Sequence, residues 1–186
     1  MLSILKANKK LSECLERVCD VEILDDFQKP EDEDGHLEYN ITGKTFAKEG
    51  GGGEYILLED GSVGFWGSEG QVGRIADNIN EFFEFVINCP YWQDYVRKDM
   101  YVNISILSEF SKKNFEELVT SMKKDSIDVL NNQKYIADNL GIKLYDDVAT
   151  QVLIRFYKSA YREMRFYAEF TENDGSKHST SGTLFK

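Results

Sequence analysis

Histidine, cysteine and proline are all scarce in this chain, and each shortage excludes something. There are two histidines, His36 and His178, and three cysteines, Cys14, Cys19 and Cys89, with no C-x-x-C spacing. That set does not make up a zinc-ligand pattern. An odd cysteine count also excludes a fully paired disulfide framework. Free thiols in a reducing compartment are expected, with a Cys–His nucleophile pair as the alternative. The only prolines are Pro30 and Pro90, which leaves long stretches free of helix breakers. No apolar run approaches the ~20 residues of a bilayer span. Lys6, Lys9, Lys10 and Glu13 fall where the apolar core of a secretory signal would lie, so none is expected. The expected compartment is the cytoplasm, where the triplets Asn40-Ile41-Thr42 and Asn103-Ile104-Ser105 carry no glycan.

What is present is a chain of 186 residues, 41% hydrophobic and 13% aromatic. That is enough for one domain, residues 1–186, with a core that needs no staples. Charge is unevenly placed. Residues 1–95 hold 20 Asp and Glu against 8 Lys and Arg, while residues 96–186 hold 13 against 14. The whole excess of a net charge of −11 therefore sits in the first half. An acidic surface repels nucleic-acid phosphates and draws in basic proteins.

Leu11, Cys14, Leu15 and Val18 form one apolar stripe, which predicts a helix over Ser3–Val21. Asp25 to Gly35 reads as a solvated acidic loop. Its D-x-D-x-D-G spacing would place Pro30 and Ile41 at calcium-ligand positions, which neither can fill. Leu37, Tyr39 and Ile41 alternate as in a half-buried strand, and Lys44–Lys48 forms another. Gly50–Gly53 is followed by Glu54-Tyr55 where a phosphate loop needs Lys-Ser/Thr, so a turn or close backbone crossing is expected.

Asp60-Gly61 between two apolar runs predicts a hairpin with a two-residue type I′ turn. Tyr55, Leu57 and Phe65 are expected on one face, and Ile56, Leu58 and Trp66 on the other. With both faces apolar, the hairpin belongs in the middle of its sheet. Gly67 to Arg74 spaces its glycines as G-x-x-G-x-x-G, not as the dinucleotide fingerprint. Ser68 and Gln71 match a capping box, so a helix is expected directly after. Its stripe would be Ile75, Ile79, Phe82, Phe83 and Val86. Asn88-Cys89-Pro90 ends it, and the aromatics Tyr91, Trp92 and Tyr95 follow around Asp94.

The second half reads as helical, chiefly over residues 110–165. Asn114 and Glu117 suggest a cap before a buried stripe of Phe115, Leu118, Val119 and Met122. Ser126–Leu140 is the next helix, with Gly141 as a left-handed cap and Ile142 folding back on it. A last helix is expected from Asp146 or Asp147 to about Arg165. One of its faces bears Arg155, Lys158, Arg162 and Arg165. That basic stripe could meet phosphate or RNA, face solvent, or lie against the acidic half of the same chain. The tail turns at Asn173-Asp174-Gly175, as a hairpin or a frayed end.

The run GGGEYILLEDGSVGFWGSEGQVGRIADNINEFFEFVINCPYWQD, Gly51 to Asp94, resembles the core of the SUKH superfamily. That family includes bacterial immunity proteins and a yeast regulator of cell-wall synthesis. The similar parts are the Gly51–Glu54 entry, the Asp60-Gly61 hairpin, the Gly67–Arg74 turn and the Phe82-Phe83 helix. The resemblance implies an α+β fold, a mainly antiparallel sheet with packed helices, its core over residues 37–95. It implies a non-enzymatic protein that neutralises a cognate toxin, often a nuclease, by binding it; no cofactor is expected. The family's usual Leu-Pro-x-x-Tyr-like opening and following Asn-Gly are missing here.

An acidic surface with exposed aromatics would cover the basic cleft of such a nuclease. Candidate contacts are Glu54, Glu59, Asp60, Glu69, Asp94, Trp66, Trp92 and Tyr95. The expected partner is a basic protein, with no nucleic acid and no membrane. Two alternatives stand beside this. One is a regulatory interaction module of the same fold. The other is an enzyme using paired groups such as Glu54 with Glu59 or Glu69 with Arg74.

Overall fold

The chain opens with two helices where the apolar stripe predicts one. In the computed structural model, which describes residues 1–30, 32 and 35–186, α1 (Leu2–Ala7) and α2 (Lys9–Cys19) are separated at Asn8. The Asn8 side chain accepts from the Leu11 amide at 3.1 Å and so caps α2. Leu11, Leu15 and Val18 are buried, as their spacing predicts.

Residues expected in the acidic loop instead form a strand, β1 (Glu22–Gln28). It pairs antiparallel with β3 (Gly43–Lys48) and lies at the edge of a five-stranded sheet. Pairing engages the backbone, and charged side chains are well tolerated on an edge strand. The rest of that loop includes Glu31, Glu33 and Asp34, which lie outside the described residues. The strand expected at Leu37 forms as β2 (Leu37–Tyr39).

β4 (Glu54–Leu58) and β5 (Val63–Trp66) form the expected hairpin, but its turn differs. The Gly61 amide bonds the Leu58 carbonyl, and the Leu58 amide bonds the Ser62 carbonyl, each at 2.9 Å. Gly61 has φ +81°, whereas Asp60 does not enter the left-handed region. The loop is thus three residues long, closed by one left-handed glycine rather than two left-handed residues. Asp60 receives the Ser62 amide on its side chain at 3.0 Å, an arrangement that suits an Asx turn.

The glycine-punctuated segment after Trp66 leads into a strand, not a helix. β6 (Val72–Ala76) pairs with β5, and all five of its residues are buried. Ser68 therefore caps nothing. Helix α3 (Ile79–Asn88) starts later, where the Asn78 side chain accepts from the Asn80 and Glu81 amides at 3.0 Å and donates to the Glu81 carboxylate at 2.9 Å. The sheet order is β1-β3-β4-β5-β6, which sets β4 in the middle as expected.

Short 3₁₀ turns at Trp92–Tyr95 and Lys98–Val102 lead to α4 (Ile104–Lys124) and α5 (Val129–Leu140). α4 is capped by Asn103, not Asn114, and Phe115, Leu118, Val119 and Met122 are half-buried rather than buried. α5 ends as expected, with Gly141 at φ +67° and the Ile142 amide on the Ala137 carbonyl at 2.9 Å. A π-helical turn, Ala149–Leu153, runs into α6 (Ile154–Ala160), which stops short of Arg165. The tail is a hairpin, β7 (Ala168–Thr171) and β8 (Lys177–Ser179), in a three-stranded sheet ordered β2-β7-β8.

The two faces of the central hairpin meet different partners, as their alternation predicts. Tyr55 and Phe65 join the larger core with Phe82, Phe83, Leu11 and Phe156. Ile56, Leu58 and Trp66 join a smaller core with Leu37, Phe166 and Ala168.

Candidate functional site

Four of the eight residues expected to contact a partner are interior. Trp66 is 7% exposed in the smaller core, and Trp92, Tyr95 and Glu54 are 1–2% exposed. Trp92 donates its indole N–H to the Tyr55 hydroxyl at 2.9 Å. Tyr95 meets Phe110 edge-on, with ring centroids 5.6 Å apart. Glu54 accepts from the Thr45 hydroxyl at 2.9 Å and pairs with Lys48 at 3.0 Å. These four hold the fold together and offer a partner almost no surface. Glu59, Asp60, Glu69 and Asp94 are exposed.

The paired groups expected of an enzyme, Glu54 with Glu59 and Glu69 with Arg74, do not come together. Glu54 opens β4 and Glu59 follows its last residue, about 17 Å away at ~3.3 Å per residue. Arg74 turns away from Glu69 to Asp60, at 2.9 Å. Among the described residues, no group of three or more His, Cys, Asp or Glu could hold a metal ion. Burial pushes the Cys19 and Cys89 thiols well above their ordinary range, which makes them poor nucleophiles.

Two of the four residues of the basic stripe lie against the acidic half of the chain, while Lys158 is exposed and Arg165 sits over the Tyr161 ring. Arg155 pairs with Glu84 at 2.8 Å, and Arg162 with Asp60 at 2.6 Å and Asp77 at 2.8 Å. Arg74, 1% exposed, also donates to the Ser62 hydroxyl and the Met164 carbonyl. Burial pushes the Asp60 carboxyl up, but the bonds from Ser62 and the charges of Arg74 and Arg162 outweigh it and hold it below its usual range. These contacts pin the β4–β5 loop to the segment after α6. Asp60 is thus an internal anchor more than a docking group.

Acidic side chains remain unpaired elsewhere. Along α2 and β1 a surface groove of about 460 Å³ is lined by Glu13, Glu16, Glu22, Asp25 and Asp26, with Lys9 at one end. Lys9 meets Glu13 at 3.6 Å, but among the described residues no salt bridge engages Glu16, Glu22, Asp25 or Asp26. This surface escapes a linear reading of the sequence. Glu13 and Glu16 look like the wet face of a helix, and Asp25-Asp26 like loop, until β1 folds beside α2.

At the adjoining end of the sheet, two glycine turns flank a cleft of about 300 Å³. One turn is Glu49–Gly53, between β3 and β4; the other is Gly67–Gln71, between β5 and β6. Gly53 and Gly67 are packed against the Phe65 ring, where a Cβ would come within 2.6 Å and 3.1 Å of ring carbons. Glu49 lines the cleft, bonded by the Gln93 amide, while Glu69 accepts from the Gln71 amide at 3.0 Å. Burial, then the nearby charge of Asp20, raises the Glu49 pKa above its ordinary value. Asp20 itself accepts from the Gly50 amide at 2.9 Å. Sequence reasoning finds the glycines and Glu69 but misses Glu49 and Gln93, which the fold brings together from separate segments.

Among the described residues, no helix is long and apolar enough to cross a membrane. No protein-family model matches the chain, and neither a curated protein nor a solved structure matches it.

Proposed function

We propose that this chain is a cytoplasmic protein-binding module of the SUKH immunity type, which neutralises a basic, nuclease-type toxin by docking against it. The observation that carries this reading is the α2–β1 groove. Five exposed carboxylates line it, and four of them are without a salt bridge among the described residues. Charge left unpaired on one face raises the local potential and steers an oppositely charged protein toward it. The resemblance of Gly51–Asp94 to the SUKH core adds to this reading.

The internal pairing of Arg155 and Arg162 bears on specificity. Those cations are already engaged by Glu84, Asp60 and Asp77, which weakens the case for a phosphate-binding stripe.

The test is co-expression with the product of a toxic gene encoded beside this one. Growth is expected to recover, and the two proteins to co-purify. A toxic neighbour that still kills, with no co-purification, overturns the reading.

A further inference from the structure

We propose that the cleft between the Glu49–Gly53 and Gly67–Gln71 turns receives one positively charged side chain, lysine or arginine, from the partner. In naming that source the inference rests on the function proposed above. At about 300 Å³ the cleft lies at the small end of ligand pockets, a size suited to a side chain. Glu49 belongs to one turn and Glu69 to the other, so a carboxylate stands on each side. Among the described residues neither is in an ion pair. Lys186 lines the same cleft without pairing to either.

Each carboxylate is held by an amide instead, Glu49 by Gln93 and Glu69 by Gln71. A carboxylate has about four acceptor sites, so each keeps room for a further donor. The two amide N–H groups already point at these oxygens, an arrangement that disfavours a hard metal ion, which needs six or more oxygen ligands. Val96, half-buried, lines the cleft beside the buried Phe65 and Trp92 and offers apolar surface to the methylene stem of a long cationic side chain. Glu49 is half-buried and faces the negative charge of Asp20. An arriving cation relieves that repulsion, whereas a neutral group does not.

The test is a titration of the ¹⁵N-labelled full chain with Nα-acetyl-arginine amide, Nα-acetyl-lysine amide and the neutral isostere Nα-acetyl-citrulline amide at constant ionic strength. The readouts are the amides of Gly52, Gly53, Gly67 and Gly70, the side-chain amides of Gln71 and Gln93, and the Trp92 indole. Saturable shifts at these signals with the arginine or lysine probe, and none with citrulline, are expected. Glu49→Gln and Glu69→Gln should each weaken the apparent affinity about tenfold, the loss of one charge-assisted hydrogen bond. Glu69 is exposed, so its variant folds even if the other does not.

Equal shifts with citrulline, shifts confined to the α2–β1 groove, or unweakened variants overturn the inference. The titration needs no partner, so the two ideas fail separately. Arginine binding in the cleft without growth rescue leaves the inference and removes the immunity reading. Rescue unaffected by the double Glu49→Gln, Glu69→Gln variant removes the inference and leaves that reading.

Discussion

Trp92 donates its indole N–H to the Tyr55 hydroxyl across 2.9 Å, and both side chains are buried to within 1% of completely. Burial drives the Tyr55 phenol well above its ordinary pKa, although the Trp92 N–H pulls the other way. This bond ties the 3₁₀ turn after α3 to the centre of the sheet.

Tyr55→Phe leaves the indole N–H buried without an acceptor. A loss of about 1–3 kcal/mol is expected, read as a lower urea midpoint with an unchanged slope. Capture of a basic partner at a temperature where the variant is folded should not change.

Asp60→Asn tests the anchor between the β4–β5 loop and the chain after α6. Arg74 keeps Ser62 and Met164 but loses its paired carboxylate, and the Arg162 guanidinium loses one carboxylate while keeping Asp77. Asp60 is partly exposed, which limits the loss to about 2 kcal/mol. The native state holds the Asp60 pKa below its ordinary value. Its stabilisation is therefore complete above the ordinary carboxylate range and disappears as pH falls through the lowered native value. The melting temperatures of parent and variant should converge in acid.

Glu49→Gln should have the opposite sign. A carboxyl whose pKa rises on folding holds its proton more tightly in the native state, so stability falls as pH climbs from the ordinary value through the raised one. The variant should melt higher than the parent at neutral pH, with the advantage vanishing below the ordinary glutamate pKa. A thermal-melt series across pH checks both halves of this statement.

Glu16→Lys with Asp26→Lys reverses two exposed charges in the α2–β1 groove. Folding stability should stay within about 0.5 kcal/mol per site. Association with the basic partner should slow by about tenfold or more, and its dependence on salt should flatten. Surface-immobilised binding at low and high salt reads both effects.

The hairpin and its two faces were legible because Tyr55–Leu58 and Phe65-Trp66 alternate between two apolar environments, and Asp60-Gly61 can only be a turn. The Gly67–Ala76 segment was not. Ser68-x-x-Gln71 satisfies the local rule for a helix start, yet pairing with β5 buries five consecutive residues and overrides it. The true start carried the same kind of signal, since Asn78 and Glu81 stand three apart. The acidic strand β1 escaped because an edge position does not require alternation. Trp92 and Tyr95 read as surface anchors because Trp and Tyr are common at protein interfaces. Whether an aromatic there points in or out depends on α4 and α6, which no local pattern contains. The cleft shares that limitation, as its walls come from β3–β4, β5–β6 and the 3₁₀ turn.

Among the described residues β2 pairs with β7 alone, where Leu37 faces Phe170 and Tyr39 faces Ala168. During synthesis, the face bearing Ile56, Leu58 and Trp66 must therefore wait for Phe166 and Ala168 to leave the ribosome. Until then the nascent sheet presents an oily, half-covered side to the cell. Slow translation late in the message, or a chaperone on that face, should then decide how much of the protein reaches its native state.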